Sequence, residues 1–193
     1  MDQEAVLNEF RAADALLEGH FKLSSGLHSS VYLQCARVLM NPERAGRLCA
    51  AFAEKLKATG VEIDLVVSPA MGGVIVGYEV ARQLGVNSIF CERVEGEFKF
   101  RRFDLPQGAR ILMMEDIITT GLSSRECIET INAAGGNVVA AGCLINRSGG
   151  RADVGAPITA LATIDAPTYK PEDLPEELKA IPAVKPGSRG LKS

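Results

Sequence analysis

The chain is expected to fold as an α/β protein with a mostly parallel, twisted sheet flanked by helices and a small β-hairpin near its N-terminus. Short apolar runs alternate with amphipathic helical stretches along most of the 193 residues, and the order strand, helix, strand, helix, strand builds parallel sheets. The runs at 111–114 and 138–145 are continuously apolar, the pattern of strands buried on both faces. Near the N-terminus Phe21 and Leu23 instead alternate with polar residues around a Ser25-Gly26 turn, which marks the hairpin.

In order, Val6, Leu7, Phe10, Ala13, Leu16 and Leu17 recur at helical spacing, predicting a helix over 3–18 stopped at Gly19. Asn41 as N-cap and Pro42 at the first helical position open a second helix, whose stripe is Ala45, Leu48, Cys49, Phe52 and Leu56 and which Gly60 ends. A strand over 63–67 leads through S-P-A-M-G-G at 68–73 into a helix over 74–84, and a strand at 88–91 follows. Residues 92–108 hold Arg93, Lys99, Arg101 and Arg102 with alternating Phe98, Phe100 and Phe103, which suggests a mobile hairpin flap carrying cations. Cys127, Ile128 and Ile131 face the core from a helix over 125–134 that ends at Gly135-Gly136, and a strand over 158–164 closes the sheet. From Asp165 the chain turns proline-rich, which cannot supply a long helix or a central strand.

The totals limit the function. With 47% hydrophobic and 23% charged residues, 1–193 suits a single domain with a real core, comprising a helix and hairpin over 1–40 and a tail over 165–193. A net charge of −3 argues against a surface built for nucleic acid, so any phosphate site must be local. No apolar run approaches the roughly 18 residues that span a membrane, and M-D-Q-E-A does not open like a signal peptide. The five cysteines are scattered and never in a C-x-x-C pair; they read as buried thiols of a reducing cytoplasm.

Chemistry concentrates between Arg110 and Ser124. Two acids, Glu115 and Asp116, stand where the strand at 111–114 is expected to surface. Ile117 and Ile118 then lead to Thr119, Thr120, Gly121, Leu122, Ser123 and Ser124 ahead of the helix. Hydroxyls and free N–H groups at a helix N-terminus suit a phosphate monoester. The acids would repel that phosphate, so they suit sugar hydroxyls or a metal-hydrated part of the same ligand, and a ribose phosphate carrying Mg²⁺ satisfies both halves. A Walker A loop is excluded because G-K-[ST] is absent.

Two acids, two aliphatics and T-T-G-x-S after a hydrophobic strand resemble the phosphoribosyl pyrophosphate signature of type I phosphoribosyltransferases. Gly121-Leu122-Ser123 departs from the commoner Gly-Gly-Ser, so Leu122 must accept a backbone shape that glycine takes easily. The hairpin F-x-L-S-S-G-x-H-S-x-x-Y is similar to the hood of the orotate phosphoribosyltransferases, although Ser24 stands where many relatives have Lys. His28 suits the surface and the ligand equally well. The 68–73 loop corresponds to the family's pyrophosphate loop, with Gly72 again at a position often held by Lys.

The resemblance implies the family's fold and transfer of ribose 5-phosphate from phosphoribosyl pyrophosphate to orotate, with Mg²⁺ held mainly by substrate. It implies catalytic roles for Glu115, Asp116, Arg93, Lys99 and Arg101, and phosphoribosyl pyrophosphate binding by residues 115–123 with Ala70, Met71 and Gly72. Thr119 and Arg147 would contact orotate, Arg147 standing at the carboxyl end of the 138–145 strand. A cytoplasmic homodimer sharing its flap completes the picture. A phosphoribosyltransferase for a purine or another base, and a non-catalytic regulator that binds phosphoribosyl pyrophosphate, are the alternatives. The second would need a DNA-binding module that is not visible.

Overall fold

A computed structural model of the chain describes residues 1–23 and 26–186. Asp2 accepts a hydrogen bond from Ala5 N at 2.8 Å and opens α1 (Gln3–Arg11), which buries Val6, Leu7 and Phe10. The helix expected over 3–18 is shorter because Asp14 turns through φ 49, a left-handed conformation that ends helical geometry. Leu16 and Leu17 therefore belong to β1 (Leu16–Lys22), and Gly19 lies inside that strand, at a pairing irregularity between Glu18 and Phe21. β1 pairs antiparallel with β2 (His28–Leu33), the expected hairpin. Ser24 and Ser25, including the first half of the predicted turn, lie outside the described residues.

A short helix, α2 (Cys35–Leu39), has no side-chain cap to mark it in the sequence. It precedes α3 (Pro42–Lys57), where Asn41 Oδ1 accepts from Arg44 N at 3.0 Å and the anticipated stripe is buried. Asn41→Ala is expected to destabilise the fold by about 1 kcal/mol, through loss of the cap. The check is a lower denaturant midpoint with an unchanged slope.

The main sheet comprises β3 (Leu65–Pro69), β4 (Asn87–Val94), β5 (Glu97–Lys99), β6 (Arg110–Ile118), β7 (Asn137–Asn146) and β8 (Ile158–Thr163), in the order β5-β4-β3-β6-β7-β8. Its pairs are parallel except for the β4–β5 hairpin at one edge. Alternate residues of β6 feed two cores. Leu112 and Met114 join α1, α3 and α4 (Gly72–Leu84) on one face, whereas Ile111 and Met113 join α5 (Leu122–Ala133) on the other.

Three boundaries bear on function. β3 begins later than expected, with Ser68 and Pro69 inside it because its pairing with β4 runs on to Pro69–Cys91. β6 does not end at the acids: Glu115 pairs with Cys143, Ile117 with Ile145 and Ile118 with Asn146. Helix α5 starts three residues earlier than expected. Gly121, at φ 82, makes the left-handed turn, so Leu122 enters the helix directly and needs no glycine-like backbone. A side chain at Gly121 would also meet Val154 Cγ1 at 2.9 Å.

The tail drapes over the hairpin. β9 (Thr168–Tyr169) pairs with β2 to make a separate three-stranded sheet, β1-β2-β9, and α6 (Glu176–Lys179) buries Leu178. Farther on, Val184 exchanges backbone hydrogen bonds with His20 and Lys22, both 2.8 Å. His28 is not on the surface: it is buried, with Nδ1 2.6 Å from His20 Nε2. All five cysteines are free and buried. Among the described residues no helix is long and apolar enough to cross a membrane.

Candidate active site

The chain after β3 turns to α4 and β4, and the chain after β6 turns to α5 and β7, so the crossovers diverge between β3 and β6. Ligands of open α/β sheets bind at such a divergence, beyond the carboxyl ends of the strands. Here β3 pairs with β6 only as far as Val67–Met113. Glu115 to Ile118 are consequently paired on the β7 side alone and open a cleft on the other.

Successive strand residues point to opposite faces. Glu115 turns toward α5, where Ser124 donates its hydroxyl proton to the carboxylate. Asp116 turns toward the loop before α4, where a Cβ built on Gly72 would lie 3.3 Å from Asp116 Oδ1. Ile117 N donates to that oxygen at 2.8 Å. Burial pushes the Glu115 carboxyl up to about 7, with a contribution from the Asp116 charge and an opposing one from the Ser124 hydroxyl. Burial also raises Asp116, against backbone N–H groups that favour its anion.

The sign for stability follows from Glu115. Its folded value lies above the usual carboxylate range, so its contribution is full at acid pH and is lost as the pH climbs through about 7. Glu115→Gln is expected to melt a few degrees higher than the wild type at pH 8, with the advantage shrinking toward pH 5. Thermal melts across that range test it, and equal shifts at both ends would refute the ionisation argument.

A cleft of about 440 Å³ is bounded by Arg93, Glu115, Thr119, Thr120, Gly121 and Ser123. The first turn of α5 presents its N–H groups here. Arg93 is anchored by Glu126, donates to Gly96 O at 2.6 Å and lies 4.1 Å over the Phe98 ring. Of the hairpin expected over 92–108 only a short one forms, with Arg93 opposite Phe98; its second strand ends at Lys99, so Phe100, Arg101, Arg102 and Phe103 lie in irregular chain. Lys99 pairs with Glu97 at 3.6 Å and Arg101 is exposed; neither lines the cleft. Ala70, Met71 and Gly72 sit on the Asp116 side, with Ala70 N bonded to Cys91 O and Met71 highly exposed.

A smaller cavity of about 230 Å³ joins Thr119 and Thr120 to Arg147, Pro167 and Thr168. Arg147 Nη2 donates to Ser29 Oγ at 2.8 Å and Val31 O at 3.4 Å. Its Nε is buried without a hydrogen-bond partner, and no carboxylate pairs with it among the described residues. Two serines add to the sequence expectation. Ser124 lines the same cleft as the 119–123 loop and also donates to Glu115; Ser29 carries no signal in the sequence, since nothing in the hairpin pattern reveals a partner just beyond β7.

A parallel sheet with an acidic and hydroxyl-rich cleft at its divergence point marks the type I phosphoribosyltransferase class. A phosphoribosyl transferase domain model matches residues 38–173, and the orotate phosphoribosyltransferase of Phenylobacterium zucineum is 61% identical over 193 residues, all of both chains. The chain therefore belongs to the phosphoribosyl transferase domain family, in its orotate phosphoribosyltransferase branch. The crystal structure of orotate phosphoribosyltransferase from Aeropyrum pernix shares the fold at TM-score 0.68 and 24% identity, over 82% of this chain and 93% of that one. Adenine phosphoribosyltransferase from Saccharomyces cerevisiae does so at TM-score 0.65 and 22% identity, over 82% and 99%. The fold by itself leaves the base open.

Proposed function

We propose that the chain joins N1 of orotate to C1 of phosphoribosyl pyrophosphate, releasing pyrophosphate and forming orotidine 5′-monophosphate in pyrimidine synthesis. The observation that carries the choice of base is Arg147. A half-buried guanidinium that no carboxylate pairs with among the described residues, lining a cavity with Thr119 next to the ribose-phosphate cleft, suits a planar carboxylate by paired hydrogen bonds.

In this reading residues 119–123 hold the 5′-phosphate through the N–H groups and hydroxyls at the start of α5, next to Ile117 and Ile118 at the end of β6. Glu115 and Asp116 hold the ribose hydroxyls from opposite faces of β6, and their negative charge favours the positive charge that develops at C1 as pyrophosphate departs. Ala70, Met71 and Gly72 line the pyrophosphate side. Orotate is already an anion, so attack by N1 needs no strong base. Hard carboxylate oxygens fit Mg²⁺, and among the described residues no group of three or more acidic, His or Cys side chains could hold a metal unaided. This suits an ion that arrives largely ligated by substrate, neutralising charge on the leaving group.

Lys99 and Arg101, outside this chain's cleft, are assigned to pyrophosphate in the neighbouring subunit of a homodimer, with Arg93 serving its own cleft. Supporting a dimer, Met71, Ile75 and Tyr78 form an exposed apolar stripe at helical spacing beside the pyrophosphate loop. The enzyme is placed in the cytoplasm, and the chain is read as one catalytic domain.

The test is loss of orotate absorbance on mixing with phosphoribosyl pyrophosphate and Mg²⁺, beside matched mixtures containing uracil, adenine or hypoxanthine. Turnover with orotate alone is expected. Turnover with a purine would move the chain to another branch, and binding of phosphoribosyl pyrophosphate without turnover of any base would make it a non-catalytic binder.

A further inference from the structure

Ser29 is fully buried in β2, and its hydroxyl meets three groups. Pro167 O lies at 3.2 Å, Arg147 Nη2 at 2.8 Å and Val31 N at 3.3 Å. The amide and the guanidinium can only donate, so the single hydroxyl proton goes to the Pro167 carbonyl and both lone pairs are used. Nothing about this hydroxyl is free to rotate.

The three partners come from three parts of the chain. Val31 shares the hairpin strand, Arg147 follows β7, and Pro167 precedes the β9 strand whose Thr168 pairs with Ser29. The other anchor of Arg147 is Val31 O, at a weaker 3.4 Å. Ser29 is thus the main fixed contact of a long side chain that lines a cavity walled in part by Pro167 and Thr168.

We infer that Ser29 is a positioning residue for the base: by tying Arg147 to the Pro167 carbonyl it fixes the plane of the guanidinium that receives the orotate carboxylate. This rests on the reading of Arg147 given above. Ser29 need not touch substrate. Its effect is confined to how well Arg147 is aimed, so binding of phosphoribosyl pyrophosphate is untouched.

Ser29→Ala is expected to raise the KM for orotate about tenfold, as for loss of one hydrogen bond to a charged group, with kcat and the KM for phosphoribosyl pyrophosphate each within about threefold of wild type. The same change made in an Arg147→Gln background is expected to add less than about twofold, because its route of action has gone. Equal increases in both KM values, or an undiminished effect in the Arg147→Gln background, would show a merely structural serine and overturn the inference. A wild-type protein inactive toward orotate would overturn the reading of Arg147 as well. Thermal melts of the three variants identify any that fail to fold, and wild-type affinity for phosphoribosyl pyrophosphate in Ser29→Ala confirms that the remaining site is intact.

Discussion

Asp116→Asn is expected to lower kcat by about 10²–10³-fold, the usual loss when one preorganised electrostatic group of a reaction site is removed, and to leave the fold nearly intact. The amide has the shape of the carboxylate and keeps an oxygen for Ile117 N. Burial disfavours the Asp116 anion, so a neutral amide relieves a cost of folding and does not add one. In the proposed reaction the lost quantity is negative charge near C1 as pyrophosphate leaves. Glu115 cannot replace it, because the alternation of β6 aims Glu115 at α5 and Asp116 at the Gly72 loop. Steady-state rates and melting curves measured together decide the matter: unchanged turnover would remove Asp116 from its role, and a matching fall in both would make it a packing residue.

The parallel sheet was legible because β3, β6 and β7 are buried on both faces and carry uninterrupted apolar runs. Its boundaries were less so, for reasons that recur. At 12–17 the helical and strand periods overlap, and the residue that chooses between them is Asp14, whose left-handed turn leaves no mark in a hydrophobic pattern. At 115–118 the charges of Glu115 and Asp116 suggest exposure. The strand continues there because backbone pairing with β7 does not depend on what the side chains carry. The early start of α5 follows from Gly121, and composition alone could not divide the left-handed position between Gly121 and Leu122.

For the site, local motifs were legible and long-range partners were not. Glu115 and the 119–123 loop surround one cleft because a few consecutive residues build it, so their spacing was already the geometry. The Ser29–Arg147 contact spans 118 positions and the Ser29–Pro167 contact 138. Such pairs arise from the docking of the hairpin and tail against the sheet, which periodicity does not encode. The flap was read from its cations, but only Arg93 has a neighbour, Glu126, that holds it at the cleft. Lys99 pairs with Glu97 and Arg101 is exposed, and neither lines the cleft.

Arg147→Gln is expected to lower kcat/KM for orotate about 10²–10³-fold, in line with truncating one partner of a buried, hydrogen-bonded charge pair. The KM for phosphoribosyl pyrophosphate should stay close to the wild-type value, because the phosphate cleft lies on the other side of Thr119. Burial pulls the guanidinium below its ordinary pKa yet leaves it charged, so the free protein holds a partly desolvated cation whose natural counterpart is an anionic ligand. Arg147→Lys separates charge from shape. The ammonium restores a positive centre but lacks the planar fork, and a variant recovering only a small part of the lost activity would show that orientation matters as much as charge. Full recovery would reduce Arg147 to an electrostatic role. An unchanged KM for orotate in Arg147→Gln would sever it from the carboxylate altogether.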